Sequence, residues 1–179
     1  MKIAIISDTH DHIVHTAKAI EQMNNLGVEA ILHCGDMVSP FLLEEFELFN
    51  GPLHLVSGNN YGDPFLLSQK IQDSKGRFQM HGWIGRLEFN GVSIAFTHDP
   101  GVGHALFNSH EFHLVCFGHT HRRFMQEDKG RLLLNPGELL GRKEPPGWIL
   151  LQIFEQQPED ETAPWQERFS IKHIALESM

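Results

Sequence analysis

Lys2-Ile3-Ala4-Ile5-Ile6-Ser7-Asp8-Thr9-His10 sets the pattern on which the rest of the chain is built. A short Ile-rich apolar run of this kind suits a strand buried on both faces. It breaks into a polar loop at Ser7-Asp8-Thr9-His10-Asp11. The same unit returns twice. Ala30-Ile31-Leu32-His33 runs into Cys34-Gly35-Asp36, and Leu53-His54-Leu55-Val56 runs towards Gly58-Asn59-Asn60. Between the first two runs, residues 12–26 read as a helix, with Ile13, Ala17, Ile20, Met23 and Asn24 at helical spacing and Gly27 as the stop. Residues 41–49 read as a shorter helix. A β-α-β-α-β rhythm implies a parallel sheet with helices on its faces.

The second half changes character after a loop-rich stretch at 58–82. Residues 86–89 and 92–96 form a hairpin around Asn90-Gly91, a dipeptide suited to a tight turn. A short helix near 102–109 leads to a strand at 113–117. Strands near 122–127 and 131–134 flank Asp128-Lys129-Gly130, and others follow near 148–154 and 167–175. The acidic, proline-containing stretch 155–164 reads as an exposed loop. No repeat or linker divides the chain, so residues 1–179 are expected to form a single α/β domain.

Composition narrows the function. At 179 residues and 41% apolar content the chain can bury a substantial core. It contains no apolar run long enough to span a membrane, and its first apolar stretch is too short for a signal peptide. Cys34 and Cys116 both sit in apolar segments, so a disulfide framework is not expected and the cytoplasm is the default compartment. A formal net charge of −9 argues against a grip on long nucleic acid. Bound divalent cations would nevertheless raise the local charge of a site. The 13 histidines are more than a plain soluble domain requires.

Several of those histidines stand where chemistry would place them. Asp8, Asp36, Asn59, His98 and His119 each fall at or just beyond the end of an expected strand, the edge where open α/β sheets bind ligands. Asp8-Thr9-His10 offers a carboxylate and an imidazole two residues apart. Gly35-Asp36 and Gly58-Asn59 each put a small residue before an oxygen donor, so backbone can approach closely. Gly118-His119-Thr120-His121 adds two further imidazoles. Mixed imidazole and carboxylate donors without thiolates suit Mn, Fe, Zn, Co or Ni. Seven such side chains are too many for one ion. They suit a pair of ions about 3.5–4 Å apart with one carboxylate bridging.

The order Asp-x-His, Gly-Asp, Gly-Asn, His, Gly-His-x-His resembles the calcineurin-like metallophosphoesterase superfamily, specifically its small single-domain phosphodiesterases of the YfcE/MJ0936 type. The likeness runs from Asp8 to the Asn135-Pro136-Gly137 turn. It implies a four-layer α/β/β/α sandwich, with two mixed sheets flanked by helices. It implies that Asp8, His10, Asp36 and His121 hold one divalent metal and Asp36, Asn59, His98 and His119 the other, with Mn(II) the favoured ion. Asp36, Asn59 and His98 would be catalytic. A hydroxide between the metals would attack phosphorus in line, hydrolysing phosphodiesters or monoesters. A retromer subunit shares this fold, so the alternative is a non-catalytic metal-binding scaffold. A small phosphoester is the expected partner, a homo-oligomer is left open, and neither membrane nor long nucleic acid is expected.

One departure stands out. Many relatives carry His after the Gly-Asn, whereas this chain has Asn60, then Tyr61 at the position of the acid and Asp63 two residues on. An amide cannot donate a proton as an imidazolium does, so alkyl leaving groups should be harder than nitrophenolate. His12 and His33 are conceivable substitutes. Asn60 and Arg122 are candidate substrate contacts, although a solvated strand edge is the plainer reading of Arg122 and Arg123. The remaining histidines, Cys34, the His110-Glu111-Phe112-His113 run and the Gly101-Val102-Gly103 turn are read as structural.

Overall fold

The N-terminal apolar run forms β1 (Lys2–Ile6), near the middle of a six-stranded sheet. Its Ile3 and Ile5 enter one core and Ala4 and Ile6 another, as the two-residue period of a strand requires. In this computed structural model, which describes residues 1–60, 62–160 and 162–176, β2 (Ala30–His33), β3 (Leu53–Leu55) and β4 (Phe78–Met80) follow β1 in parallel. On the other flank β10 (Gly147–Ile153) pairs antiparallel with β1, and β11 (Phe169–Ala175) pairs antiparallel with β10.

A second sheet combines β5 (Ile84–Phe89), β6 (Val92–Thr97), β7 (Leu114–Cys116), β8 (Arg123–Asp128) and β9 (Arg131–Pro136) in the order β5-β6-β7-β9-β8. β6, β7 and β9 are parallel, and the two edge strands are antiparallel to their neighbours. Ile3, Ile5 and Leu32 of the first sheet meet Ile94, Phe96 and Leu134 of the second in the central core. Outside the first sheet lie α1 (Ile13–Asn25), α2 (Leu43–Phe46) and α3 (Pro64–Asp73), and outside the second lies α4 (Pro100–Asn108). The layers are therefore α/β/β/α with two mixed sheets, as the resemblance implies.

Four details differ from the sequence reading. The stretch 58–82 is not all loop, because Asp63 caps α3 through Phe65 and Leu66 N–H, and Pro64 starts the helix. β4 then adds to the sheet edge by pairing with β3. The expected helix at 41–49 is a 3₁₀ turn at Pro40–Leu42 followed by the short α2. α1 is rotated from the expected face: Thr16, Ala19, Ile20 and Met23 are buried while Ile13 is 58% exposed. No helix among the described residues is long and apolar enough to cross a membrane.

Candidate metal centre

The parallel strands of both sheets deliver their C-terminal ends to one place. Asp8 and His10 follow β1, Asp36 follows β2, Asn59 follows β3, His98 follows β6, and His119 and His121 follow β7. Backbone bonds tie neighbouring turns together, with Asp8 N–H donating to Gly35 O at 3.1 Å and His10 N–H to Asp36 O at 3.1 Å. The two sheets are joined at the site itself, where His119 N–H donates to Asp8 Oδ2 at 3.0 Å.

These turns are sharper than L-residues prefer. Asp8, His10, Asp36, His119 and His121, five of the seven candidate ligands, have φ between 41° and 69°. Left-handed backbone costs a non-glycine residue about 1 kcal/mol or more. Turns of this kind re-aim side chains inward from the strand ends. Gly58 shows how tight the packing is: a Cβ there would lie 2.0 Å from Asp36 Oδ1.

The donor atoms face one another closely. His10 Nε2 lies 3.7 Å from Asp8 Oδ1 and 3.4 Å from Asp36 Oδ2. His98 Nε2 lies 3.4 Å from the same Asp36 oxygen, and His121 Nε2 lies 3.4 Å from Asp8 Oδ1. Asn59 Oδ1 is within 2.8 Å of His98 Nε2 and 2.7 Å of His119 Nδ1. His98 has its ring fixed by the 2.8 Å contact of Nδ1 with Cys34 O, which makes Nδ1 the N–H and leaves the Nε2 lone pair facing inward. Asp36 is held by the backbone and side-chain N–H groups of Asn60, the former at 2.8 Å.

Charge in the cluster is concentrated and poorly screened. Burial works to raise the Asp36 pKa, but the facing His98 ring and the hydrogen bonds from Asn60 overcome it and hold the carboxyl well below the usual range. His10 is raised, chiefly by the facing Asp8 carboxylate and against burial. Burial lowers His98, yet the facing Asp36 carboxylate and the Asp8 charge leave it raised. Asp8 Oδ1 and His10 Nε2 are buried with no hydrogen-bond partner. Orphaned buried polar atoms of this kind are costly unless a ligand completes them. Two donor clusters, Asp8 with His10 and His121 and Asp8 with Asp36 and His98, each gather within 4.8 Å. The donor set thus fits divalent cations of borderline character.

Residues 1–156 match the calcineurin-like phosphoesterase superfamily domain. The chain belongs to that superfamily. It is 37% identical to phosphodiesterase MJ0936 of Methanocaldococcus jannaschii over 143 residues, 79% of this chain and 86% of that one. A solved archaeal phosphodiesterase is 30% identical and superposes with a TM-score of 0.79, covering 97% of this chain and all of that one. Zinc-bound Vps29 of Entamoeba histolytica shares the fold at 15% identity and a TM-score of 0.62, covering 98% of this chain and 99% of that one. The chain is a metal-dependent phosphoesterase, a hydrolase acting on phosphoester bonds.

Within this calcineurin-like domain, one buried acid escaped the sequence reading. Glu138 follows β9, is 1% exposed, and its Oε2 lies 2.6 Å from His121 Nδ1. Its other oxygen accepts from the N–H groups of Lys143 and Glu144. Burial works against its charge, but the His121 hydrogen bond and those N–H groups keep its pKa lowered. The available signal was its place directly after Asn135-Pro136-Gly137, since metal-binding imidazoles commonly donate their second N–H to a carboxylate. Asn135 supports the same wall by donating to Gly118 O at 2.8 Å and Thr120 Oγ1 at 3.1 Å.

The conceivable proton donors fare differently. His33 is fully buried, its Nε2 3.1 Å from Thr9 Oγ1 and its Nδ1 accepting from Gly35 N–H, and burial lowers its pKa to about 4. It therefore positions the first two turns and cannot reach a leaving group. His12 caps α1 by accepting from His15 N–H and stacks on the His15 ring. Asn60 faces Asp36 with both its N–H donors, and Arg122 is exposed next to His121. Cys34 turns its thiol into the central core, away from the donors. Tyr61 lies outside the described residues.

Proposed function

We propose that the chain is a dinuclear phosphodiesterase. Asp8, His10, Asp36 and His121 hold one cation, and Asp36, Asn59, His98 and His119 hold the second. The observation that carries this reading is the position of Asp36 Oδ2, 3.4 Å from both His10 Nε2 and His98 Nε2. One carboxylate oxygen thereby faces a donor from each set, as suits a shared ligand. Asp8 also belongs to both donor clusters, through oxygens that face His121 and the backbone of His119. Asp36 is favoured as the bridge because the imidazoles that approach its Oδ2, His10 and His98, come from the two different sets, whereas those that face Asp8 Oδ1, His10 and His121, come from one.

Divalent cations in such a site supply an ionised water as nucleophile and offset charge growing on the phosphoryl oxygens. The protein's own part is to fix the donors beforehand. Asn60 holds Asp36 in place, Cys34 O sets the His98 tautomer, and Glu138 sets that of His121. Asp36, Asn59 and His98, on the turns after β2, β3 and β6, are the residues that would face a bound ester. Mn(II) is the expected ion, with Fe, Zn, Ni or Co suited to the same donors. Diesters are favoured over monoesters by the 37% identity with a named phosphodiesterase.

The test pairs metal analysis with turnover. Two ions per chain and Mn(II)-stimulated hydrolysis of bis(p-nitrophenyl) phosphate are expected, faster than hydrolysis of p-nitrophenyl phosphate. A single ion per chain would overturn the dinuclear reading, and a strong monoester preference would overturn the diester one. The scaffold alternative gains no support from seven donors aimed at one point. It would be revived if no divalent ion gave turnover.

A further inference from the structure

We infer that an apolar cavity beside Asp36 is the subsite for one ester substituent of the substrate, and that it selects a single ring or short branched hydrocarbon. The inference rests on the phosphoesterase centre proposed above and adds the class of group that the centre accepts.

The cavity, about 240 Å³ in volume, lies between α3 and the ends of β2 and β3. Met37, Leu55, Val56, Leu67, Ile71 and Met80 form its walls, and Asp36 and Asn60 stand at its polar side. It therefore shares a wall with the metal centre. Its roof is α3, which contains no buried residue; Leu67 and Ile71 lean on the core without closing over it. Filling such a void would stabilise the fold, so its persistence against a reactive carboxylate needs a reason.

Chemistry restricts the occupant. No Lys, Arg or His lines the cavity among the described residues, so a second phosphate would meet no cation there. No aromatic ring lines it among the described residues either. At the rim, Asp63 Oδ1 caps α3 by accepting from Phe65 and Leu66 N–H at 3.0 and 2.9 Å. Size narrows the choice further. A dry cavity of about 150 Å³ admits benzene, whereas drug-sized ligands need about 300–1,000 Å³. One substituted ring or a short branched chain fits between these limits.

The experiment compares phenylphosphonate with methylphosphonate on the zinc-loaded protein, since both carry the same anionic head. Phenylphosphonate should bind about tenfold or more tighter. It should also shift the Met37 and Met80 methyl resonances, while methylphosphonate should not. Leu67→Trp fills the cavity and should abolish the preference, leaving methylphosphonate affinity within about twofold of the parent. Ser68→Trp, at an exposed cavity-lining position of α3, serves as the second plug should the first misfold. Equal affinities, unmoved methionine signals, or a preference that survives both plugs would overturn the subsite while leaving the centre intact. If neither phosphonate bound the metal-loaded protein, the centre itself would be refuted and the subsite with it.

Discussion

His121 Nδ1 and Glu138 Oε2 lie 2.6 Å apart, and this bond determines which nitrogen of the ring faces Asp8. A carboxylate bonded to one imidazole nitrogen keeps the proton there and raises the basicity of the other. Glu138→Gln keeps the shape but removes the charge. Metal affinity should fall by about 10- to 100-fold, measured by calorimetric titration. Unfolding temperature of the metal-free protein should change far less, because the substituted side chain still occupies the same volume.

Asp36→Asn tests the shared ligand. An amide is neutral and offers one oxygen and two N–H donors, so it holds two cations far less well than an ionised carboxylate. Hydrolysis of bis(p-nitrophenyl) phosphate should fall by roughly 100-fold or more. Adding Mn(II) should raise the unfolding temperature of the parent protein by mass action and leave that of the variant nearly unmoved. A variant that retained both responses would remove Asp36 from the centre.

Gly58→Ala places a methyl group where none fits. The new Cβ would stand 2.0 Å from Asp36 Oδ1 and 2.3 Å from Asp36 N. Relief of that clash must displace the carboxylate or the β3 turn, at a cost of about 1–3 kcal/mol. Denaturant unfolding should show that loss, and metal titration should show weakened binding in the same variant.

Acid sensitivity should arise away from the centre, at His54 and His81. His54 Nδ1 lies 3.1 Å from His81 Nε2, and burial followed by the His81 charge lowers the His54 pKa to about 4. Burial lowers His81 as well. The unfolded chain, with histidines near 6.5, binds more protons between these values, so acid favours unfolding. This contribution is complete above pH 6.5, declines as pH falls towards about 4, and amounts to roughly 1–3 kcal/mol for His54. Denaturant midpoints between pH 7.5 and 4.5 should fall less steeply in His54→Phe than in the parent.

Legibility in the sequence followed the physics of burial. β1, β2 and β3 announce themselves because strands covered on both faces must be continuously apolar, and their polar turns then mark the site. α3 was hidden for the opposite reason. With no fully buried residue and Phe65 81% exposed, its stripe is reduced to Leu67 and Ile71, and only Asp63-Pro64 signals its start. β4 is three residues long and is a strand because β3 offers it an edge. Among site residues, those spaced Asp-x-His or Gly-His-x-His were recognisable in sequence. Glu138 was not, since its meaning lies in a hydrogen bond to a ring 17 positions earlier.

The bond from His119 N–H to Asp8 Oδ2 spans 111 residues of chain. Together with Glu138, it means that the site is drawn from about three quarters of the polypeptide, Asp8 to Glu138. A nascent chain leaving the ribosome can join the Asp8 and His10 turn to that of Asp36 early, but it lacks His119, His121 and Glu138 until β7 and β9 have emerged. Long-range closure of this type comes late in folding. Hydrolytic competence is thus withheld during synthesis, and a prematurely terminated product that ends before Glu138 would be inert rather than a stray phosphoesterase.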